Sequence, residues 1–435
     1  MKKSRFNLLV EKNEEHALLF NFYSRGFLEL SRANYEKFEN LNFSPEDELL
    51  KGLKKGFFIQ DDDVDELAMF DARNKVLRYS TSHSTLTIVP TSDCNFSCEY
   101  CFSVKKKEYM SQKTENEVIE FFEKGVNKIR SFHVCWFGGE PLLAKTTMDR
   151  LSREFIRRCE ESKVPYSSIL VTNGYLLTKE NIDWLKEIKV EQLQVTLDGD
   201  EAIHDRRRKL LNGGSTFRVI MDNLRNAAGN FRIIIRVNFD KNNVEKVREL
   251  LPVLEKYGIQ DKVSVYYGSI ISIAEVCKDY ESNCLDIDTV GNILLDFHKD
   301  ALDKNQKYVS FPFPLTMLGG CGAMKPGNFI IDPQGYLHKC LNTVGTNQEN
   351  IGHVSQQLQM TPRLAWWLTW DPIKEKECKE CQVLPLCGGG CPYTRSTGQH
   401  TCTYYKTSGF MTKLLQIYYR DVYLKGQRKA EGVKA

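Results

Sequence analysis

Three cysteines in one short segment carry the clearest chemical signal in this sequence. Cys94, Cys98 and Cys101 follow the apolar run 86–89 with the spacing C-x3-C-x2-C. This spacing brings three thiolates to one metal centre, one fewer than a [4Fe–4S] cluster normally takes. A missing ligand leaves an open coordination position, which is typical of catalytic rather than structural metal sites. We therefore expect an open iron that binds a small molecule and passes it one electron.

A zinc knuckle, or three buried thiols without metal, would fit the same spacing, and both alternatives stay open at this point. Tyr100 and Phe102 flank the last cysteine. They favour a cluster, because a dry surrounding is one determinant of its potential. The segment 1–16 is charged and lacks the apolar core of a signal peptide, which predicts a cytoplasmic protein. Its fourteen cysteines are then expected to bind metal rather than to form disulfides.

The size and charge of the chain limit its partners. Its 435 residues allow roughly three domains at about 150 residues each. A net charge of only +3, with both signs well mixed, predicts no nucleic-acid or membrane partner. The basic run 105–107 is expected to be a solvated loop. No apolar stretch reaches the ~18 residues of a membrane-spanning helix.

Residues 1–85 contain no cysteine and predict a small α+β module of winged-helix type. Strands are expected at 6–10, 16–23, 27–30 and 57–59, and helices at 31–40 and 45–55. A peptide-binding module and a structural cap over the next domain are both consistent with this pattern.

Strands and helices alternate regularly in the segment 86–270. Strands are predicted at 85–89, 132–137, 168–171, 192–197, 232–239 and 263–267. Helices are predicted at 113–129, 147–159, 179–187, 217–228 and 244–257. This alternation predicts parallel pairing and an α/β fold, a partial (βα)6 barrel of the TIM type. Residues 271–310 are interpreted as a bridge with one helix at 289–301, and 311–435 as a cysteine-rich domain with a C-terminal helix.

Polar and glycine-rich groups follow five of the predicted strands. In barrels of this kind the active site lies at the carboxyl ends of the strands. Besides the cysteines, the groups expected at this rim are Gly138, Gly139, Glu140, Pro141, Asn173, Thr196, Asp198, Arg236, Asn238 and Asp240. Their convergence predicts a single catalytic site.

The rim residues offer contacts for three chemical groups. Gly138 and Gly139 let backbone carbonyls approach a ligand, and the adjacent Glu140 adds a carboxylate, so this loop suits an ammonium group. Asn173 and Thr196 suit the hydroxyls of a ribose. One guanidinium of the run 206–208 is expected to pair with a carboxylate.

Ammonium, carboxylate and ribose are the groups that S-adenosylmethionine presents. One electron would cleave its sulfonium and release a carbon radical that abstracts hydrogen from a substrate. Asp198 has two open roles, bracing the loop or contacting this ligand.

Together these residues resemble the radical S-adenosylmethionine (SAM) superfamily over about residues 85–270. The resemblance implies that Cys94, Cys98 and Cys101, with Tyr100 before the last cysteine, form the catalytic [4Fe–4S] centre. It also implies contacts to SAM from the GGEP-like loop 138–141, from Asn173, Thr196 and Asp198, and from Arg208, which matches the arginine of an H-D-x-x-R stretch.

The C-terminal cysteines resemble the SPASM extension, which implies two auxiliary clusters and three [4Fe–4S] clusters in all. One would be held by Cys378, Cys381, Cys387 and Cys402. The other would have only three ligands, Cys321, Cys340 and Cys391. Leu315 and its neighbours offer no fourth cysteine, and Cys277 and Cys284 are the open alternatives for that ligand. A pair of zinc ribbons is the alternative for this region.

SPASM proteins commonly modify peptides, and residues 1–85 resemble the leader-recognition element of ribosomal peptide maturases. An exposed strand edge there would bind an extended leader by β-augmentation. The predicted function is a maturase that installs a thioether or carbon–carbon link in a precursor peptide. The predicted partners are the leader-bearing precursor and a flavodoxin- or ferredoxin-type electron donor.

Two alternatives remain. The first is an anaerobic sulfatase maturase, although those relatives carry an Asp where this chain has Leu341 and usually lack a long N-terminal module. The second is a non-catalytic iron–sulfur carrier or peptide-binding scaffold.

Overall fold

A computed structural model describes residues 1–273, 275–310, 319–346, 349–398, 402–407 and 409–420. Its strands are β1 Lys2–Lys3, β2 Asn7–Glu11, β3 His16–Asn21, β4 Phe27–Ser31, β5 Ile59–Gln60, β6 His83–Ile88, β7 Ser131–Trp136, β8 Tyr166–Thr172, β9 Val190–Thr196, β10 Arg232–Phe239, β11 Val263–Ser269, β12 Asn328–Ile331, β13 Tyr336–His338 and β14 Gly352–His353.

The α-helices are α1 Arg32–Asn40, α2 Glu48–Lys55, α3 Glu66–Arg78, α4 Gln112–Val126, α5 Lys145–Glu161, α6 Lys179–Glu187, α7 Glu201–Arg207, α8 Phe217–Ala227, α9 Leu250–Lys256, α10 Ile287–Asp303, α11 Pro362–Thr369, α12 Lys376–Lys379, α13 Leu384–Cys387, α14 Pro392–Ser396 and α15 Phe410–Tyr418. In this part of the chain, none of the helices is apolar over the length that a bilayer crossing requires.

Six parallel strands, β6 to β11, form the centre of the molecule. Each of them pairs with its neighbour in the chain, so they lie side by side in chain order. Parallel neighbours need a crossover on one face of the sheet, and α4, α5, α6 and α8 provide crossovers. This confirms the predicted α/β fold with a parallel sheet, in the strand order expected of an open, partial barrel.

The core on the helix side of the sheet is formed by alternate residues of the strands and by the apolar face of the helices. In β7, Phe132, Val134 and Trp136 are buried and alternate with half-buried residues. In α4, Val118, Ile119, Phe122 and Val126 form the buried face. The rings of Phe122 and Phe132 lie 4.2 Å apart between centroids. The apolar face of this helix therefore packs on the sheet.

Two predicted features of the barrel segment differ in the structure. The helix expected at 244–257 is confined to α9, and 247–249 form a 3-10 turn. Pro252 is the third residue of α9, and its ring would clash with a helical turn before it. The edge of the barrel beside β6 is extended by β12, which pairs in parallel with β6 from Asn328 opposite Thr85. The sequence of the four residues of β12 does not indicate pairing with a strand so distant in the chain.

The N-terminal strands β2, β3 and β4 form an antiparallel sheet that is apolar on both faces. On one face, Leu19 and Leu30 pack against Phe38 of α1 and Leu53 of α2. The opposite face packs against the cysteine-rich C-terminal part of the chain. The residues in this second cluster include Val10, Leu18, Phe20, Val383, Leu384, Phe410, Leu414 and Leu415. The N-terminal module therefore covers part of the C-terminal region, whereas the cap alternative had placed it over the next domain, the barrel.

Candidate functional site

A cavity of about 350 Å³ opens at the carboxyl ends of the parallel strands. Its wall contains residues from the loops after β6 and β7 and from the ends of β8 to β11. The lining includes Cys94, Cys98, Tyr100, Cys101, Lys105, Gly138, Gly139, Asn173, Gln194, Thr196, Arg208, Arg236, Asn238, Ile270, Ile271 and Asn342. The structure thus brings most of the predicted rim residues together at one site.

The three cysteines lie in the loop after β6, on one side of this cavity. The backbone N–H of Phe96 donates to the Sγ of Cys94 over 3.4 Å. Burial raises the pKa of Cys94 to about 12 and also raises that of Cys98. Buried thiols are ionised when a cation compensates their charge, and iron would do so. The donor set therefore fits a cluster held by three thiolates.

Lys105 is exposed, like Lys106 and Lys107, as expected of a solvated loop, but its side chain also lines the cavity. Its Nζ donates to the carbonyl of Phe96 over 2.9 Å. Burial raises the pKa of both Cys94 and Cys98, and the charge of Lys105 lowers it by a smaller amount. The contact of one lysine with the cysteine loop was not predicted from a run of three lysines.

Gly138 and Gly139 let the loop after β7 press against the cysteine loop. A Cβ on Gly138 would lie 2.5 Å from the carbonyl oxygen of Thr91, and one on Gly139 would lie 2.1 Å from that of Asp93. Gly138 also has a φ of +139°, which residues with a Cβ rarely adopt. Both glycines are therefore needed for the close contact of two loops that line the cavity.

Glu140 does not face the cavity. Its carboxylate was predicted to contact the ammonium group of a ligand, but in this position it is not available for that contact. It is fully buried, and its oxygens accept from the hydroxyl of Thr172 (2.8 Å) and from the backbone N–H groups of Asn173 (2.8 Å) and Leu142 (3.1 Å). Pro141 follows at the start of a 3-10 turn and is also buried. Glu140 thus joins the ends of β7 and β8 from below and fixes the position of Asn173.

Asn173 and Thr196 line the cavity at the ends of β8 and β9. The Nδ2 of Asn173 donates to the Oδ1 of Asn95 over 2.8 Å, which ties this amide to the cysteine loop. Asp198 lies deeper and is buried. It accepts hydrogen bonds from the hydroxyl of Tyr100 and the Nε of Arg207. Of the two roles considered for Asp198, the geometry matches bracing.

Arg208 reaches the cavity from the end of α7. Its Nη1 donates to the hydroxyl of Tyr100 over 2.8 Å. Its Nε is buried and has no hydrogen-bond partner among the residues that the structure describes. An unpaired, buried guanidinium N–H suits an anionic ligand group, such as the carboxylate of SAM. The residue therefore fits the predicted contact.

A buried ion-pair network below the cavity was not predicted. Arg207 binds Asp240 through both Nη atoms, at 3.1 and 2.7 Å, and also contacts Asp198. The hydroxyl of Tyr280 donates to Asp240 over 2.7 Å, which connects the segment after β11 to the same group. In sequence, the only signal was the position of Asp240 at the end of a predicted strand.

Four C-terminal cysteines line one small cavity of about 20 Å³: Cys378, Cys381, Cys387 and Cys402. Arg395 and Thr403 line the same space. The Nε of Arg395 and the Oγ1 of Thr403 are buried there and lack hydrogen-bond partners within the described residues. The sulfides of a cluster would accept from both groups, so this donor set fits a [4Fe–4S] cluster with four ligands.

The other three C-terminal cysteines also lie together. The pKa of Cys340 is raised to about 12, mainly by burial and further by the charges of Cys391 and Cys321. Asn342, two residues after Cys340, lines the cavity at the strand ends. The group of Cys321, Cys340 and Cys391 therefore lies next to that cavity. Cys284 lies beside Cys277 and Asp240, and Leu315 lies outside the described residues, so the source of a fourth ligand stays a prediction.

Among the described residues, no three His, Cys, Asp or Glu side chains are grouped closely enough to hold a single metal ion. A four-iron cluster makes a different demand, because each thiolate binds a different iron.

Comparison with known proteins places the central segment in a family. Residues 88–254 match the model of the Radical SAM superfamily, so this part of the chain is a radical SAM domain. The superfamily implies one [4Fe–4S] cluster and SAM. The sequence is 25% identical over 344 residues to a cysteine-type anaerobic sulfatase-maturating enzyme of Clostridium novyi, covering 71% of this chain and 88% of that one. It is 22% identical over 325 residues to a serine-type enzyme of Klebsiella aerogenes, covering 69% and 77%.

Two solved structures resemble the fold. "Native anSMEcpe with bound AdoMet and Cp18Cys peptide" aligns with a TM-score of 0.62 and 17% identity, over 81% of this chain and 100% of that chain. Streptococcus suis SuiB bound to precursor peptide SuiA aligns with a TM-score of 0.56 and 15% identity, over 91% and 96%. At these identities the likeness concerns the fold alone.

Proposed function

We propose that this chain is a radical SAM maturase of a ribosomally made precursor peptide and installs a thioether, or a carbon–carbon link, in it. The proposal includes a leader-recognition module at 1–85, a radical SAM barrel at 86–270, a bridge at 271–310, and a SPASM domain with two auxiliary clusters at 311–435. The electron donor in this proposal is a flavodoxin- or ferredoxin-type protein.

The observation that carries the proposal is the open edge of the N-terminal sheet. In the order β2-β3-β4, strand β4 pairs with β3 on one side only among the described strands. The N–H of Asn21 donates to the carbonyl of Gly26. The alternation of an antiparallel ladder then turns the N–H of Glu29 towards the open edge. A free ladder edge is where an extended peptide adds as a further strand.

The comparisons support a peptide substrate. The alignment with SuiB, which was solved with its precursor peptide, extends over 91% of this chain. The anSMEcpe chain aligns over its whole length and still leaves about a fifth of this chain unmatched. That fraction is close to the share of the proposed leader-recognition module.

The residues of this chain would hold the reactants as follows. Cys94, Cys98 and Cys101 would hold the catalytic cluster. Asn173 and Thr196 would position the nucleoside of SAM, and Arg208 its carboxylate. When bound, the cluster and SAM supply a carbon radical that abstracts hydrogen from the peptide.

A matched pair of variants tests the leader-binding edge. Glu29→Pro removes the outward N–H of β4, and proline is tolerated on edge strands. Glu29→Ala removes the side chain but keeps that N–H. Leader binding should weaken at least ~10-fold in the proline variant, because strand addition depends on main-chain hydrogen bonds. It should stay near the wild-type value in the alanine variant. Equal binding by both variants would remove the leader-binding role.

The reaction itself is tested by co-expression with a peptide encoded beside this chain, followed by mass spectrometry. A thioether removes two hydrogens from the peptide and protects one cysteine from alkylation by iodoacetamide. A peptide that instead gains an aldehyde, trapped as an oxime by hydroxylamine, would refute a cross-linking maturase.

That second outcome belongs to the other candidate, a sulfatase-maturase-type enzyme that forms formylglycine. The similarity to the Clostridium and Klebsiella enzymes favours it. Leu341 stands where the resemblance predicts an acidic base. No Asp or Glu is found among the described residues that line the cavity. On these grounds we place the sulfatase type second.

A further inference from the structure

The charges on the cavity wall are all of one sign. Lys105, Arg208 and Arg236 line it, and none of the described lining residues is acidic. Arg208 is the proposed partner of the SAM carboxylate, and Lys105 lies beside the cysteine thiols. Arg236 is the cation left without a proposed partner.

Arg236 lies opposite the cysteine loop, in a row of side chains across three strands. Arg236 lies in β10, in register with Thr196 of β9 on one side and with Tyr266 of β11 on the other. Its side chain therefore projects from the same face of the sheet as Thr196, which lines the cavity too. This places the guanidinium next to the proposed nucleoside position but one strand farther from the cysteines.

Two neighbours hold the guanidinium of Arg236 in place without neutralising it. The Nε donates to the Oδ1 of Asn238 over 2.7 Å, and the Nη1 lies 3.5 Å from the hydroxyl of Tyr266. Gly268 leaves room beside it, because a Cβ there would lie 3.3 Å from the Nη2. Amide and phenol oxygens fix orientation but carry no charge, so the positive charge stays available to a ligand.

Arg207 differs from Arg236 in having carboxylate partners. Arg207 is buried below the cavity and is paired with the carboxylates of Asp198 and Asp240. Arg236 forms no ion pair with any residue in the described part of the chain. A pre-oriented guanidinium in a concave, carboxylate-free wall is the arrangement that recognises a planar anion through two N–H groups.

The mouth of the cavity beside Arg236 is apolar. Ile270 and Ile271 follow β11 and line the cavity, and Ile271 is 53% exposed. A ligand held by Arg236 would therefore place its carboxylate inside the cavity and an apolar stem or neighbour against these isoleucines.

We propose that the outer half of this cavity binds a carboxylate of the substrate peptide, with Arg236 as its anchor. The proposal rests on the proposed function in that the substrate is a peptide, and it specifies that peptide as acidic at or beside the modified residue. An aspartate or glutamate side chain and a C-terminal carboxylate share this chemistry.

Three small probes test the proposal on the cluster-loaded, SAM-saturated enzyme by anaerobic calorimetry. N-acetylglutamate N-methylamide presents a side-chain carboxylate, and N-acetylalanine presents a terminal one. N-acetylglutamine N-methylamide is the uncharged counterpart. At least one carboxylate probe should bind ~10-fold or more tightly than the uncharged probe, as expected for a charge-assisted pair. The preferred probe then identifies the source of the carboxylate.

The variants Arg236→Gln and Arg232→Gln are the matched pair. Arg232 starts the same strand but is exposed outside the cavity. Discrimination should be lost in the first and kept in the second, while the dissociation constant for SAM changes in neither. Arg236→Lys, which keeps the charge but not the planar fork, should give intermediate discrimination and serves if the glutamine variant does not fold.

Three results would overturn the proposal. They are equal binding of all three probes to the wild type, equal loss in Arg232→Gln, or a loss of SAM binding in Arg236→Gln with discrimination unchanged. The last result would assign Arg236 to the cofactor. None of these measurements needs turnover or a leader, so the proposed function can fail separately through the leader-binding and product assays.

Discussion

The cavity at the strand ends and the cavity among the C-terminal cysteines differ in size and lining. The first measures about 350 Å³ and has a cationic wall. Its three cysteines lie within eight residues of one loop. The second measures about 20 Å³ and is lined by four cysteines spread from 378 to 402. Both are built from cysteine, but only the first leaves space for a second reactant.

On the proposed function, this difference would separate the catalytic cluster from an auxiliary one. A centre with three thiolates and adjoining space can bind a small molecule, whereas four thiolates complete the coordination of a cluster. We call the three-cysteine site the open centre and the set Cys378, Cys381, Cys387 and Cys402 the closed group. Within the closed group, Cys378 is buried in the apolar contact between the N-terminal sheet and α15. We therefore expect changes at the open centre to stop the reaction, and changes around the closed group to alter coupling and stability.

The largest expected effect is at the open centre. Cys98→Ala should abolish cleavage of SAM to 5′-deoxyadenosine, because two thiolates do not hold the catalytic cluster. Cys387→Ala should keep that cleavage but lose peptide modification. Each variant should lose about four of about twelve irons if the chain holds three four-iron clusters. Anaerobic product analysis and iron determination check both statements.

Cys135→Ala is the control for this pair, since Cys135 lies in β7, lines neither cavity and should keep iron and activity. Cleavage that survives in Cys98→Ala would contradict the assignment of the open centre. Cleavage lost equally in a folded Cys387→Ala would erase the proposed difference between the two regions.

A second expected effect concerns the ion pairs below the open centre. Asp240→Asn leaves the buried Arg207 with a weaker partner, and breaking such a pair costs about 3–5 kcal/mol. Because Arg207 also contacts Asp198, which holds Tyr100, the dissociation constant for SAM should rise as well. Thermal unfolding and equilibrium dialysis of SAM measure the two effects.

Asp222→Asn provides the comparison, since the pair of Asp222 with Arg225 is exposed and such pairs contribute only about 0–1 kcal/mol. If both variants shift the unfolding midpoint equally, the buried network does not support the cavity.

The third expected effect concerns the apolar contact beside the closed group. Leu415→Ala removes a fully buried side chain of α15 between the N-terminal sheet and the cysteine-rich region. A loss of about 2–5 kcal/mol is expected for such a change, seen as a lower unfolding midpoint and faster loss of iron in air. Leu77→Ala, at a position 43% exposed, should change neither.

This interface also affects how the N-terminal module is tested. Deleting 1–85 would expose Leu384, Phe410 and Leu415 to water, so loss of activity after deletion would report instability as well as leader binding. Point variants on the edge of β4 avoid this problem.

Local patterns in the sequence were enough for the parallel sheet and the rim of the cavity. Strand–helix alternation predicts β6 to β11, and the ends of parallel strands meet at one edge whatever the details of packing. This is why Cys98 and Asn173 could be assigned to one site from the sequence, whereas Arg208 was assigned to it through the family resemblance.

The direction of individual side chains was not predictable in the same way. Glu140 turns below the cavity because the N–H groups of Asn173 and Leu142 lie there, and the ammonium group of the exposed Lys105 donates to the carbonyl of Phe96. Asn173 belongs to another segment of the chain, and Phe96 meets Lys105 only through the fold of the cysteine loop. The pairing of β12 with β6 has the same cause, since the two strands are distant in sequence and only the finished barrel presents the open edge.

The smallest expected effect lies at the border of the N-terminal module and the closed region. Glu29 accepts hydrogen bonds from Lys12 (2.9 Å) and from the hydroxyl of Tyr419 (2.8 Å). Burial raises the pKa of Glu29, but these two hydrogen bonds and the charge of Lys12 outweigh it, so the pKa lies below its ordinary value. Because the site is partly exposed, Glu29→Gln should cost no more than about 1 kcal/mol.

The pH dependence of this cost follows from the sign of the shift. A carboxyl whose pKa is lower in the folded state stabilises the protein at all pH values above its unfolded pKa of about 4.3 and loses that contribution only below it. The difference in unfolding midpoint between wild type and Glu29→Gln should thus stay constant from pH 8 to pH 5. It should shrink with added salt, which screens partly exposed pairs. A difference that disappears between pH 8 and pH 6 would mean that a group titrating near neutrality, rather than Glu29, controls the contact between the two regions.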